Sequence, residues 1–329
     1  MPAMNLTIDN ALIFDGESDE LIPGGIRIAD GVIVEVGDVS AAPDRIDARG
    51  KVVTPGLIDA HFHAYGASML LSRIESSYLS YLALAGAARL AAAIERGFTT
   101  VRDVAGGDAG FSAAITGGLA PSPRCLWTGA ALSQTGGHGD HRSADEDLCA
   151  HGHHMCEVVD GVDALRIAVR SRFHHGAHAI KLMTSGGVAS LTDPLRIPQY
   201  SAEEVRAVTD EAGRRGSYVA AHAYSPDAII HSIENGVRSI EHGNLLDPET
   251  AQAMADHGAV LVPTLAAYSA MDRRGEEVGL SPISAAKNRE VLAAGHDAVG
   301  HALAAGVTVG FGSDLLGDLQ SEQLWGVRL

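Results

Sequence analysis

The order of apolar and polar residues divides the chain into two parts with different periodicities. Up to about residue 54, the stretches NLTIDNALIFDG, GGIRIADGVIVEVGDV and RIDARGKVVTPG alternate apolar and polar positions and contain Asp-Gly and Gly-Gly pairs. Alternation with period two, interrupted by such pairs, predicts β-strands joined by tight turns. We therefore expect residues 1–54 to form an N-terminal β segment.

From residue 55 onwards, short apolar stretches alternate with longer amphipathic ones. Eight stretches have the length of strands: GLIDAHFH, FTTVRDV, RCLWTGA, AIKLM, YVAAHA, VRSIEH, AVLVPTL and VTVGFGSD. The stretches between most of them have the length of helices, often ending on Gly. Eight such units predict an α/β fold, a (β/α)8 TIM-like barrel over 55–329. A doubly wound parallel sheet is the alternative, but it does not predict polar residues at so many strand ends.

The chain ends in QSEQLWGVRL, at about the point where the helix after the eighth expected strand would begin. A closed barrel needs an eighth helix, and the N-terminal strands lack a partner sheet. We therefore expect a C-terminally truncated chain, in which the last barrel helix is incomplete and the C-terminal half of a small composite β-sandwich domain is missing.

Composition excludes several classes of partner. The chain has 24 Lys+Arg against 41 Asp+Glu, and this net charge of −17 repels nucleic acids and anionic membrane surfaces. The three cysteines, Cys125, Cys149 and Cys156, leave one unpaired in any arrangement, which favours a reducing compartment. With no signal peptide and no apolar run of about 18 residues, we expect a cytoplasmic protein. The sequence leaves homo-oligomerisation open.

Polar side chains recur where the expected barrel strands end. His61 and His63 are two residues apart in a strand, so their side chains share one face. In a barrel, the carboxyl ends of all strands meet at one mouth, where catalytic residues lie. The candidates at these ends are four histidines, one lysine and one aspartate: His61, His63, Lys181, His222, His242 and Asp314.

Each candidate has a simpler explanation when taken alone. A lone strand histidine is more often structural than a metal ligand, and Asp314 could cap a following helix. Lys181 could be a surface lysine, but AIKLM places it within an apolar strand, where an unpaired ammonium is costly. The tract HGHH (151–154) resembles a metal tract but is better explained as a solvated loop, and His174, His175 and His178 suit a helix end. Taken together, however, the six candidates follow one another along the chain at strand ends, and this arrangement favours a metal site.

Several phrases of the sequence resemble those of a known enzyme family. These are TGGHGDH (135–141), IKLMTSGGVAS (180–190), AHAYSPDAI (221–229), SIEHGNLLD (239–247) and GFGSDLLGD (310–318). Together with the six candidates, they resemble the amidohydrolase superfamily, in its imidazolonepropionase-like branch of binuclear-zinc Xaa-Pro dipeptidases and metallocarboxypeptidases. The resemblance extends from the N-terminal β segment to Asp314.

The resemblance implies a set of cofactors and a mechanism. It implies two divalent metal ions, with Zn²⁺ favoured because imidazole and carboxylate ligands suit it. One metal would be held by His61, His63 and Asp314, the other by His222 and His242, and a CO₂-derived carbamate on Lys181 would bridge them. A hydroxide between the metals would attack the amide carbon, and Asp314 would carry the proton as general base and then acid.

The resemblance also implies a small-molecule substrate. His138 and Tyr224 stand at positions that in similar dipeptidases bind the terminal carboxylate of the substrate. We therefore expect hydrolysis of an amide bond beside a terminal carboxylate, in an Xaa-Pro dipeptide or an N-acyl amino acid. Alternatives are a cyclic-amide hydrolase or deaminase of the imidazolonepropionase type, and a truncated, non-catalytic product. Side-chain preference and metal identity stay open.

Overall fold

The computed structural model describes residues 5–142, 153–191 and 193–329. Within these residues the chain separates into two compact units, Met1–Leu57 and Ile58–Leu329. Cys149 and His151 lie outside the described residues. No helix in the described part is long and apolar enough to cross a membrane.

The first unit is an all-β structure. Its strands are β1 (Asn5–Ile13), β2 (Ile22–Ala29), β3 (Val32–Gly37), β4 (Asp44–Asp47) and β5 (Val52–Val53). They form one sheet in the order β3-β2-β1-β4, and β5 also pairs with β1. Asp30 and Gly31 join β2 to β3 with φ values of 52° and 78°, as a two-residue hairpin turn requires. The predicted strand-rich N-terminal region is therefore confirmed.

The second unit alternates strands and helices. Its strands are β6 (Leu57–Phe62), β7 (Phe98–Asp103), β8 (Arg124–Trp127), β9 (Ala131–Ser133), β10 (Cys156–Val158), β11 (Ile180–Met183), β12 (Val219–Ala223), β13 (Ser239–His242) and β14 (Val260–Val262). Its helices are α1 (Leu71–Glu75), α2 (Leu79–Glu95), α3 (Ala109–Thr116), α4 (Val162–His174), α5 (Ala202–Arg214), α6 (Pro226–Glu234), α7 (Pro248–Asp256), α8 (Leu265–Arg274) and α9 (Pro282–Ala304). Two 3₁₀ helices follow, at Gly317–Glu322 and Trp325–Arg328.

The strands of the second unit form two sheets that one segment connects. One sheet has the order β10-β9-β11-β12-β13-β14, with parallel neighbours, and the other has the order β6-β7-β8. The segment 308–311 bonds to both sheets, because Leu261 N donates to Thr308 O (2.9 Å) and Ala60 N donates to Phe311 O (2.8 Å). The predicted mixed α/β fold is confirmed at this level.

Two details differ from the sequence prediction. The connection between residues 130 and 160 has no clear apolar period in the sequence, yet it contains β9 and β10, which pair in parallel. The stretch VTVGFGSD, expected as the eighth strand, contributes an isolated bridge at Val309 rather than a regular strand. Three-residue strands and a glycine-containing extended segment carry too few positions to establish a period.

Helix starts follow local sequence signals. The side chains of Ser225, Asp247 and Ser281 accept hydrogen bonds from the first turns of α6, α7 and α9, and each is followed by Pro. Ser201 and Glu204 form a reciprocal capping box at the start of α5. The buried faces of these helices pack on the strands in a core that includes Leu182, Val208 and Ile240. This packing fixes where each strand ends.

Candidate active site

The strand ends of the second unit bring the six candidate ligands to one cavity. His61 lies in β6 and His63 just beyond it, Lys181 lies in β11, His222 in β12 and His242 in β13. Asp314 follows the connecting segment 308–311, and its N–H donates to His61 O at 2.8 Å. The cavity has a volume of about 410 Å³. We call its six candidates the ligand cluster: His61, His63, Lys181, His222, His242 and Asp314.

The side chains of the ligand cluster are close enough to share metal ions. The ring centroids of His61 lie 5.0 Å from those of His63 and of His242, and the His222 and His242 centroids are 4.4 Å apart. Asp314 Oδ1 lies 3.0 Å from His63 Nε2 and 3.5 Å from His61 Nε2. Ligand atoms of His61, His242 and Asp314 all lie within 4.8 Å of one another, so these three groups could hold one cation, whereas the resemblance groups His61 with His63 and Asp314 and groups His242 with His222.

Lys181 is the group whose surroundings most clearly require an additional partner. Its side chain is 1 % exposed, and among the described residues its Nζ has no hydrogen-bond partner. Burial lowers the pKa of Lys181 to about 8, although the carboxylates of Glu241 and Asp314 oppose this shift. A buried amine without a partner is costly unless it is neutral or chemically altered.

Burial also sets the charge of the imidazoles. It lowers the pKa of His61 and of His222 well below the usual value, and it lowers the pKa of His242 to about 3. These rings are therefore neutral at pH 7, which is the form that binds metals. Burial raises the pKa of the Asp314 carboxyl, but its electrostatic interaction with the His61 ring and its hydrogen bond with His63 outweigh burial, so the pKa lies well below its usual range.

Three non-glycine residues at the site have left-handed backbone conformations. The φ angles are 77° at His242, 49° at Thr264 and 51° at Asp314. Such conformations are uncommon for residues with a Cβ and cluster at functional sites. Thr264 Oγ1 and the Tyr268 hydroxyl each lie 2.8 Å from His242 Nδ1, so the strained segments also orient a ring of the ligand cluster.

A buried carboxylate that the sequence analysis missed orients His61. Glu241 is fully buried, and its Oε2 lies 2.7 Å from His61 Nδ1. Its other oxygen accepts hydrogen bonds from Arg102 Nη2 (2.7 Å) and Ser239 Oγ (2.6 Å). This contact leaves His61 Nε2 facing Asp314, as expected for a metal-binding histidine with an outer carboxylate partner. A charged residue inside the apolar strand VRSIEH was the available signal.

His138 and Tyr224 both line the cavity, beside the ligand cluster. The His138 ring stacks on the His222 ring with a centroid distance of 4.1 Å. The Tyr224 hydroxyl lies 2.7 Å from the Tyr268 hydroxyl, which in turn contacts His242. The glycines of TSGGVAS let the main chain approach these rings: His222 Nε2 donates to Gly186 O at 3.1 Å, and a Cβ on Gly187 would overlap His138.

The rest of the cavity wall is largely apolar. It includes methionine and leucine side chains from several segments of the chain: Met69, Leu70, Leu71, Met155, Met183, Leu191, Met271, Leu280, Leu316 and Leu319. Met155 also shows how part of this wall is fixed, because its N–H and that of His154 donate to the buried carboxylate of Glu75 at 2.8 and 2.7 Å. Within the tract 151–154, expected as a solvated loop, His154 is therefore held by hydrogen bonds, because its ring Nε2 also donates to Ser77 O at 3.1 Å.

Comparisons with known proteins match the chain to a family and to several solved structures. Residues 52–325 match the amidohydrolase family. Ochratoxinase of Aspergillus niger is 32% identical over 326 residues, an alignment that covers 92% of this chain and 67% of that protein. A prolidase solved in complex with N-methylphosphonate-L-proline is 41% identical, with a TM-score of 0.92, over 96% of this chain and 80% of that one. A Xaa-Pro dipeptidase with methionine bound in its active site is 29% identical, with a TM-score of 0.84, over 99% and 84%.

Proposed function

The chain belongs to the amidohydrolase family of amide-hydrolysing enzymes, and from that premise we propose a metal-dependent hydrolase that cleaves an amide bond beside a terminal carboxylate. The proposed substrates are Xaa-Pro dipeptides or N-acyl amino acids. The observation that carries the proposal is the buried Nζ of Lys181, which has no hydrogen-bond partner among the described residues and lies with four histidines and one aspartate at one cavity.

The residues present fit a pair of divalent metal ions. Neutral imidazoles and an ionised carboxylate are the donors that Zn²⁺ prefers. His61, His63 and Asp314 would hold one ion, and His222 and His242 would hold the other. A carbamate on Lys181 would supply one oxygen to each ion, and its formation would remove the cost of an unpartnered amine. When bound, two such ions polarise a carbonyl and lower the pKa of water.

We assign both proton transfers of the hydrolysis to Asp314. Its low pKa keeps the carboxylate ionised at neutral pH, so that it can accept a proton from the attacking water. The same carboxyl group would then deliver this proton to the leaving nitrogen. Asp314 Oδ1 faces His63 Nε2 at 3.0 Å and His61 Nε2 at 3.5 Å, so Oδ1 would be the metal-binding oxygen and Oδ2 is the oxygen on which we place the proton.

The substrate's terminal carboxylate would bind at His138 and Tyr224. An imidazole N–H and a phenol O–H are both suitable donors to a carboxylate. The relatives support this substrate class, since a prolidase and a Xaa-Pro dipeptidase share the fold of this chain over nearly its whole length. The largely apolar wall of the cavity suits an uncharged side chain or acyl group on the other side of the scissile bond.

The fold proposal follows the same premise. We propose that the two sheets of the second unit form one (β/α)8 barrel, closed through the segment 308–311. Residues 1–54 would be the N-terminal part of a small composite β domain, and residues 55–329 the hydrolase barrel.

A substrate panel on one metal-loaded sample tests the function. It contains Met-Pro, N-benzoyl-L-phenylalanine and the cyclic amide hydantoin, and product identity is read by mass spectrometry. We expect release of the C-terminal amino acid from at least one of the first two, and loss of that activity after chelation. Hydrolysis of hydantoin alone would replace the proposal with the cyclic-amide alternative.

A further inference from the structure

Lys287 makes an unusual set of contacts outside the ligand cluster. It lies on α9, and its Nζ donates to three main-chain carbonyls, those of Gly187 (2.9 Å), Ser190 (2.9 Å) and Asp193 (2.7 Å). An ammonium has three protons, so these three acceptors saturate it. Lys287 is not among the residues that line the cavity in the described part of the chain, so any role in catalysis must pass through the residues that it holds.

The carboxylate of Asp193 lies close both to Lys287 and to His138, which lines the cavity. Its side chain is almost fully buried, and its Oδ1 is 3.8 Å from Lys287 Nζ. Oδ2 accepts a hydrogen bond from Gly187 N at 3.1 Å and lies 3.4 Å from His138 Nδ1. The Ser190 hydroxyl donates to Oδ1 of the same carboxylate. Burial raises the pKa of the Asp193 carboxyl, but its contacts with His138 and Ser190 outweigh burial and lower that pKa. The Asp193 carboxylate thus contacts Gly187, Ser190 and His138. Its position depends on the main-chain carbonyls that Lys287 binds.

The His138 ring is oriented by Asp193 and Ser190. Its Nδ1 lies 2.8 Å from Ser190 Oγ, and its main-chain N–H donates to Gln199 Oε1 at 3.0 Å. Because the Ser190 hydroxyl donates to Asp193, its oxygen is available to accept the proton on His138 Nδ1. The other ring nitrogen, Nε2, then donates to a substrate carboxylate only when the ring carries both protons, and the Asp193 carboxylate at 3.4 Å balances that charge. We call this connected set the tether: Lys287, Asp193, Ser190 and His138.

Lysine at position 287 is itself informative. Of the 24 basic residues only three are lysines, Lys51, Lys181 and Lys287, so arginine is the ordinary surface cation of this chain. A compact ammonium can meet three converging carbonyls, whereas the planar guanidinium of arginine directs its donors within one plane. The chain therefore has lysine at a place where the shape of the cation matters.

We propose that Lys287 and Asp193 are positioning residues for recognition of the substrate's terminal carboxylate, because they fix the His138 ring that binds it. The inference rests on the proposed function, in which His138 contacts that carboxylate. Loss of the ammonium releases three carbonyls and leaves Asp193 without its neighbouring cation. His138 then loses its fixed orientation, while the ligand cluster keeps its own supports, such as Glu241 on His61.

The test compares substrates that differ only at the terminal carboxylate. It uses Met-Pro or N-benzoyl-L-phenylalanine, whichever the wild type hydrolyses faster, together with the C-terminal carboxamide of the same compound. For Lys287→Met we expect the KM of the carboxylate substrate to rise about tenfold, the size expected for one weakened hydrogen bond to a charged group. We expect kcat to stay within about twofold and the carboxamide's kcat/KM to stay unchanged.

Three further variants separate positioning from a general structural role. Lys287→Arg keeps the charge but not the shape, and we expect the same defect. Arg289→Met removes an exposed cation from the same helix, and we expect wild-type kinetics. Ser190→Ala interrupts the tether without touching the carbonyls, and we expect a smaller KM rise for the carboxylate substrate. This variant also keeps the inference testable if Lys287→Met fails to fold.

The outcomes distinguish this inference from the proposed function. If the wild type hydrolyses the carboxylate and the carboxamide equally well, recognition of the carboxylate fails, and the inference fails with it. If the wild type prefers the carboxylate and neither Lys287→Met nor Ser190→Ala reduces that preference, the inference alone is overturned. Equal losses on both substrates would also overturn it, because they indicate general damage to the site.

Discussion

The ligand cluster and the tether border the same cavity but are held in place by different contacts. Five of the six ligands lie in or next to strands, where pairing with parallel neighbours fixes their position along the strand. Met183 pairs with His222, and Ala223 pairs with His242. The tether instead depends on one ammonium, which reaches carbonyls 94 to 100 residues away. Changes to the cluster should therefore affect metal binding and turnover, whereas changes to the tether should affect substrate affinity.

The largest effect should come from Asp314. Asp314→Asn removes the group that accepts and returns the proton, and we expect kcat to fall by about 10³-fold or more, in the range of a lost general acid–base. Four histidines and Lys181 remain, so metal should stay bound. Steady-state kinetics with elemental analysis checks both parts. Asp318→Asn, an exposed change on the next segment, is the matched control. An active Asp314→Asn enzyme would remove Asp314 from the mechanism.

Reactivation of the metal-free protein by metal should depend on bicarbonate, because bicarbonate supplies the CO₂ that forms the carbamate on Lys181. Carbon dioxide reacts with the neutral amine, forming an N–C bond while the amine releases a proton. Burial lowers the pKa of Lys181 to about 8 in the metal-free protein, so the neutral fraction rises as pH increases through that value. After chelation, we expect reactivation by Zn²⁺ to be faster with bicarbonate, and faster at pH 8.5 than at pH 6.5. Reactivation of Lys181→Met that responds to bicarbonate would contradict the carbamate.

Glu241 should control metal affinity without contacting the metal. Glu241→Gln keeps the shape but weakens the contact with His61 Nδ1 and leaves Arg102 without its charge partner. We expect metal affinity to fall about 10–100-fold, as for other outer partners of metal-binding histidines. Chelator competition measures this. Ser239→Ala, which removes one hydrogen bond from the same carboxylate, should have a smaller effect. Equal metal affinity in Glu241→Gln and the wild type would show that His61 needs no such support.

Tyr224 should affect the affinity for substrate rather than metal binding. Tyr224→Phe removes a hydroxyl from the proposed carboxylate site, and we expect KM for a dipeptide to rise about tenfold with a smaller change in kcat. Tyr78→Phe, a change at a residue that is 87% exposed, is the control. An unchanged KM would mean that the Tyr224 hydroxyl serves only its contact with Tyr268.

The sequence predicted the proximity of the ligand cluster better than the surroundings of that cluster. His61, Lys181, His222 and His242 each lie at or near the carboxyl end of an apolar strand, and parallel strands bring such ends to one edge. The structure places them around one cavity, while their roles stay predictions. Glu241 was not predicted, because its partner His61 is 180 residues away and no local period connects them.

The tether was out of reach of sequence patterns for a different reason. Lys287 looks like any polar position on a helix, and its acceptors are main-chain carbonyls, which have no residue identity to recognise. The rarity of lysine was a signal, but it does not name the partners. In the fold, helix caps such as Ser201 with Glu204 were readable because both residues are local. Short strands such as β10 were not, because their pairing is decided by distant neighbours.

Metal content of the purified, active protein tests the central claim most directly. Elemental analysis of wild-type protein, measured on the same sample that hydrolyses the best substrate of the panel, should find about two divalent ions per chain. Chelation should remove these ions and the activity together. A sample that hydrolyses the amide at its full rate with no divalent metal bound would contradict the account.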